Sequence, residues 1–124
     1  MATAGSIEAS ARDIVNDTVE AFRCSPPAML RYVWEGVRKL WQVRPESRYV
    51  GLALVSYTLP TIADTATDEE ITAARAVAVP IDDRWVDAIV EYVCFKFFQR
   101  DEADTANSKL ASDHMALFMA WSAQ

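Results

Sequence analysis

The chain has 124 residues and a formal net charge of -6, with 52 % apolar residues and four Trp, four Tyr and five Phe. That length supports one domain with a thin core, and an aromatic load of this size suggests surface that meets other subunits. The acidic balance argues against a protein built to clamp nucleic acid through counterion release, though not against a local basic patch.

Cys24 and Cys94 form neither a disulfide framework nor a zinc spacing, so both are expected as free thiols in a reducing compartment. The opening "MATAGSIEAS" has no basic start and no apolar run, unlike a secretory signal. Synthesis in the cytosol is the expectation. Residues 1–6 are small and polar and read as a loose arm.

Ile7, Ala11, Ile14, Val15, Thr18, Val19 and Phe22 then recur at helical steps, predicting a first helix over about Ser6 to Arg23. "CSPPAML" restarts the chain, with Ser25 as N-cap and Pro26 at the first helical position. Leu30, Val33, Trp34, Val37, Leu40 and Trp41 follow at helical spacing. This second helix should stop near Val43, because Pro45 disfavours helix at Arg44.

The segment 46–79 reads as an extended insertion. "SRYVGLALVSYTL" suits a strand, "TIADTATDEEIT" an exposed loop, and "ARAVAVP" a second short β-like stretch. A projecting hairpin accommodates all three; a short helix over Asp68–Arg75 is the alternative. Asp82 caps a third helix running to about Arg100, with Ile81 and Val86 as a hydrophobic staple. Asp101 can cap a fourth, in which Ala103, Asn107, Leu110, His114, Leu117, Phe118 and Trp121 share a face. No Gly or Pro separates these two, so a single bent helix stays open. The expected fold is mainly α: a single domain, a four-helix antiparallel bundle with a short β-hairpin or extended insertion between its second and third helices.

The third helix poses a question of cover. From Trp85 to Phe98 only Asp87, Glu91 and Lys96 interrupt an apolar run. The run is too short and too charged to cross a bilayer. A helix apolar on nearly every side must be hidden on nearly every side. Flanking helices and neighbouring copies are the expected cover, with Asp87 and Glu91 on its one wet or partner-facing edge.

Signatures of chemistry are sparse. One histidine excludes His-Glu-x-x-His, and the Glu-x-x-His of di-iron bundles is absent. Three glycines, Gly5, Gly36 and Gly51, make no phosphate loop. His114 reads as a core or interface histidine with a satisfied nitrogen. Cys94 reads as a small buried hydrophobe, since reactive thiolates need an electropositive, partly open setting. No catalytic residue, cofactor or metal is expected. The charged side of the second helix carries Arg31, Glu35, Arg38 and Lys39, continued by Arg44 and Arg48. It is either an ordinary solvated face, a contact for an acidic neighbour such as the Asp68–Glu70 segment of an adjacent copy, or a reader of DNA. The interface candidates are Arg31, Arg38, Lys39, Tyr49, Tyr57, Asp68, Glu69, Glu70 and Trp121.

Two stretches carry a family resemblance. In "ARDIVNDT…RCSPPAMLRYVWEGVRKLWQVRPES" the pattern is Asp17, Arg23, Ser25, Leu30, Trp34, Arg44 and Pro45. In "VPIDDRWVDAIVEYVCFKFFQRDEADTANSKLASDHMALF" it is Val79, Pro80, Trp85, Ile89, Val90, Tyr92, Asp101, Ala103, Asp104, Ala106, Asn107 and Phe118. In order and spacing these resemble small tailed-phage head-to-tail adaptor, or connector, proteins over roughly two-thirds of the chain. The resemblance implies a non-enzymatic virion protein of the neck, made in the host cytoplasm. It implies a homo-oligomeric ring, commonly a dodecamer, bound to the portal protein on one side and a tail or nozzle protein on the other. DNA would only pass through the lumen, and no membrane is involved. The chain departs from the pattern in its short middle segment and in ending soon after Trp121, where many adaptors have a portal-gripping tail. The N-terminal arm or residues 49–79 would take over that contact. A small helical DNA-binding or DNA-packaging subunit is the alternative.

Overall fold

The computed structural model describes residues 2–20, 22–50, 53–54, 58–100 and 105–123. It is mainly α. Five α-helices occur among these residues: α1 (Ala4–Val15), α2 (Pro26–Val43), α3 (Asp68–Arg75), α4 (Val86–Gln99) and α5 (Thr105–Ser122). Strands β1 (Tyr49–Val50) and β2 (Ala53–Leu54) pair antiparallel, Tyr49 opposite Leu54 and Val50 opposite Ala53.

Residues 2–6 are pinned, which corrects the loose arm expected over residues 1–6 except at Met1, which lies outside the described residues. Thr3 caps α1 reciprocally with Ser6. Two backbone bonds flank a Thr3–Ala78 bridge: Ala4 N–H donates to Val77 O at 2.9 Å, and Val79 N–H to Ala2 O at 2.8 Å. The β-like stretch before Pro80 therefore pairs with the N-terminal residues Ala2–Ala4.

α1 is also shorter than its periodicity predicts. It stops at Val15, with Asn16 left-handed at φ 59°, a conformation that Asn tolerates better than most residues. Val19, expected on the buried stripe, is 77 % exposed, and Ile14 is exposed too. α2 occupies the predicted span, Pro26 to Val43. Arg44 then closes the other end of the molecule, its guanidinium donating to the carbonyls of Ser122 and, at 2.6 Å, Ala123. A cation at those free carbonyls also suits the negative end of α5.

Segment 46–79 is not wholly extended. Pro45–Arg48 is a 3-10 turn, and α3 fills Asp68–Arg75 behind a Thr67–Glu70 capping box. Those end-matching signals outweigh the Thr-rich, loop-like composition. Gly51, Leu52 and residues 55–57 lie outside the described residues. Asp82 caps a 3-10 turn, Asp83–Trp85, which leads into α4. The expected cap at Asp101, with Ala103 and Asp104, also lies outside the described residues, yet α4 and α5 pack closely against each other, so they are two helices.

α4 is the centre of the fold, packed by α5, α2 and α1. Ala88, Ile89, Val90, Tyr92, Val93, Cys94 and Phe97 are buried on it. The cover for the apolar run therefore comes largely from the chain's own helices. At Gly36 the α2–α4 approach is tight: an added Cβ would lie 3.1 Å from Tyr92 Cδ1 and 3.3 Å from Ile89 Cγ2. On α5, Ala111, Phe118 and Ser122 are buried, whereas Leu110 and Leu117, expected on the shared face, are exposed. The inward stripe is turned from the predicted one because Phe118 meets Tyr92 edge-on at 5.4 Å. No described helix is long and apolar enough to cross a membrane.

Candidate functional site

Three clusters of polar side chains stand out. The first lies where α1 ends. Glu8, Arg12 and Asp17 are 2 %, 5 % and 4 % exposed. Arg12 Nε donates to Glu8 Oε2 and Nη1 to Asp17 Oδ2, each at 2.9 Å. Asp17 also accepts the backbone N–H of Arg23 at 2.8 Å and of Cys24 at 3.1 Å. From α3, Arg75 grips Glu8 with Nε at 2.7 Å and Nη2 at 3.0 Å. The hydrogen bond to Glu8 raises the Arg75 pKa. Phe22 covers the Arg12 guanidinium at 4.0 Å. Two carboxylates thus face the guanidiniums of Arg12 and Arg75, with that of the more exposed Arg23 at 4.0 Å from Asp17, and every strong acceptor is engaged. This is the condition under which buried charge is tolerated, and it suits a fold-making joint rather than a reactive centre. Sequence reasoning missed it; the Glu8–Arg12 spacing of four was the available signal.

The second cluster is the charged side of α2. Arg31 pairs with Asp64 of its own chain, and Lys96 reaches Glu35 at 3.4 Å. Glu35, Arg38, Lys39, Gln42, Tyr92 and Lys96 line a shallow groove of about 290 Å³. Three cations against one carboxylate leave it basic. Asp68, Glu69 and Glu70 form the first turn of α3 and are exposed, Glu70 being engaged in the capping box. Tyr49 is exposed, Trp121 is half-buried against the core, and Tyr57 lies outside the described residues. Within one chain the described candidates are spread over α2, β1, α3 and α5. Arg31 is already committed to an internal partner.

The third cluster sits in the α4–α5 seam. His114 Nδ1 lies 2.6 Å from Glu91 Oε2, both side chains 14 % exposed. With the carboxylate ionised, Nδ1 is the donor. Phe98 stacks on the imidazole at 5.6 Å and 8°. Cys94, one turn along α4 from Glu91, is fully buried and its thiol points to Ala11 O at 3.9 Å. Burial pushes that thiol up to about 12. Burial also raises Cys24, Tyr32 and Tyr92 above their ordinary values. A thiol held protonated in this way is a poor nucleophile. Glu91 is thus turned into the seam, against the expectation of a wet edge that Asp87 alone occupies. His114 has its satisfied nitrogen.

Comparison with protein-family models, with curated proteins and with solved structures gives no match to this chain.

Proposed function

We propose that the chain is a structural subunit of a phage-type head-to-tail adaptor: a ring that joins a portal to a tail and lets DNA pass. In this reading α1, α2, α4 and α5 form the four-helix bundle and 46–79 is its insertion. The observation that carries the reading is on α5. Leu110, Leu117 and Met119 are 39 %, 43 % and 47 % exposed on a helix whose buried face is already filled. Leu110 and Leu117 share one flank of α5 and Met119 lies on the opposite one, so neighbours on both sides that cover them gain apolar burial, and head-to-tail contact between unlike faces closes into rings. A basic α2 groove and an acidic α3 turn on the same subunit supply complementary charge for such contacts.

The residues that carry the family resemblance support it further, because they make the fold. Asp17 and Arg23 build the turn from α1 to α2, and Arg44 closes α5. Leu30, Val79, Trp85, Ile89 and Phe118 are core. The test is imaging of the protein mixed with a portal ring, alongside its mass in solution. Decoration of the portal by wild type and its loss in Leu117→Lys, with melting unchanged, is the expected result. A protein that never decorates the portal refutes the reading.

The groove of Arg38, Lys39 and Lys96 beside Tyr92 favours a second reading, a small DNA-binding or packaging subunit. Tight DNA binding that weakens steeply with salt selects it over the adaptor.

A further inference from the structure

We propose that Glu91, Cys94 and His114 form a binding site for a zinc-class divalent cation in the α4–α5 seam, independently of any role in a ring. A carboxylate oxygen, the thiol sulfur and an imidazole nitrogen all lie within 4.8 Å of one another. Even at that limit one point is no more than about 2.8 Å from all three, against bonds of about 2.0–2.3 Å to zinc. Closing the gap takes side-chain adjustments of under about an ångström. The sulfur, nitrogen and oxygen donors form a set that Zn²⁺ and Co²⁺ accept, and three protein ligands leave a fourth position for water.

The surroundings suit the role. Glu91 and His114 are each partly open, so a cation can enter from the seam, while Cys94 forms the floor. Phe98 fixes the plane of the imidazole. Coordination replaces the Cys94 S–H bond by a sulfur–metal bond, and the released proton goes to solvent. At His114 the imidazole proton shifts to Nε2 as Nδ1 turns to the metal. The hydrogen bond between Nδ1 and Glu91 then opens to about 3.3 Å, the separation of two ligands on a tetrahedral ion. The sequence hid this site because Cys94 and His114 lie twenty positions apart and the register of two helices decides whether they meet.

The test is Co²⁺ titration of the reduced, chelator-treated full chain, followed by zinc competition. One equivalent should give a near-ultraviolet thiolate-to-cobalt band with visible bands of tetrahedral intensity, and Zn²⁺ should bleach both. Cys94→Ser should abolish the near-ultraviolet band, and Cys24→Ser, at the other buried thiol, should keep it. His114→Gln and Glu91→Gln, at partly open positions that should fold, should each weaken binding by more than about tenfold. No thiolate band at a large cobalt excess overturns the proposal, as does a band that survives in His114→Gln and Glu91→Gln at unchanged affinity.

Discussion

Asp17→Asn isolates one charge in the joint that turns α1 into α2. The substitution keeps shape and one acceptor oxygen, but leaves the Arg12 guanidinium with Glu8, which Arg75 already shares. Removing one partner of a buried ion pair costs about 3–5 kcal/mol. The lower end applies here, because Glu8 still faces Arg12 and an Asn oxygen can still accept a backbone N–H. A chain of 124 residues unfolds with an entropy of about 0.26 kcal/mol/K. A loss of about 3 kcal/mol therefore lowers the melting temperature by about 11 °C. Urea unfolding followed by tryptophan fluorescence and by far-ultraviolet circular dichroism gives the number, with an unchanged slope as the sign that only stability moved. In an Arg12→Met background the guanidinium is gone, and the same Asn substitution should cost less than about 1 kcal/mol. A cost that stays the same in both backgrounds refutes the pairing, as does a single-variant effect below about 0.5 kcal/mol.

Gly5→Ala should destabilise by about 1–3 kcal/mol, because its Cβ would lie 2.8 Å from Arg75 Cβ and 3.0 Å from Arg75 O, where α1 meets α3; melting equal to or above wild type contradicts this. In chelator-treated protein the buried Cys94 thiol, raised from 9.0 to about 12, keeps its proton in the fold while the unfolded chain loses it. Its contribution is complete below pH 9 and disappears as the pH rises from 9 towards 12, at about 1.4 kcal/mol per unit. Stability of Cys94→Ala between pH 9 and 11 should fall less steeply than that of wild type, and equal slopes count against the assignment.

The ends of α2 were legible because two prolines set them, Pro26 in the first turn and Pro45 beyond the last; Ser25 holds the N-cap position, but its side chain makes no capping hydrogen bond. α4 was legible for the same reason, since Asp82 and a dense apolar run leave few alternatives. α1 was over-extended because Thr18, Val19 and Phe22 prolong its period past Asn16. What stops it is the Asp17 carboxylate collecting Arg12 and two backbone N–H groups from six and seven residues ahead. The inward face of α5 was misjudged for a related reason. Leu110 and Leu117 have the spacing of a core stripe, yet the orientation of α5 follows from where Phe118 and His114 meet α4. Glu91, Cys94 and His114 were each visible as residues but not as neighbours, since no pattern within either helix encodes the register between them.

The paired strand-like contact at the N-terminus has a consequence for how the protein is made. Ala2 and Ala4 bond to Val79 and Val77, residues translated some 75 positions later. At roughly 5–20 residues per second that interval lasts roughly 4–15 s. For a span of that length α1 stands outside the ribosome without the segment that anchors it, and without α4, against which it packs. The first helix to be synthesised is thus among the last to be secured, and its Ile7 and Ala11 face is open to holdase chaperones until the second half of the chain arrives.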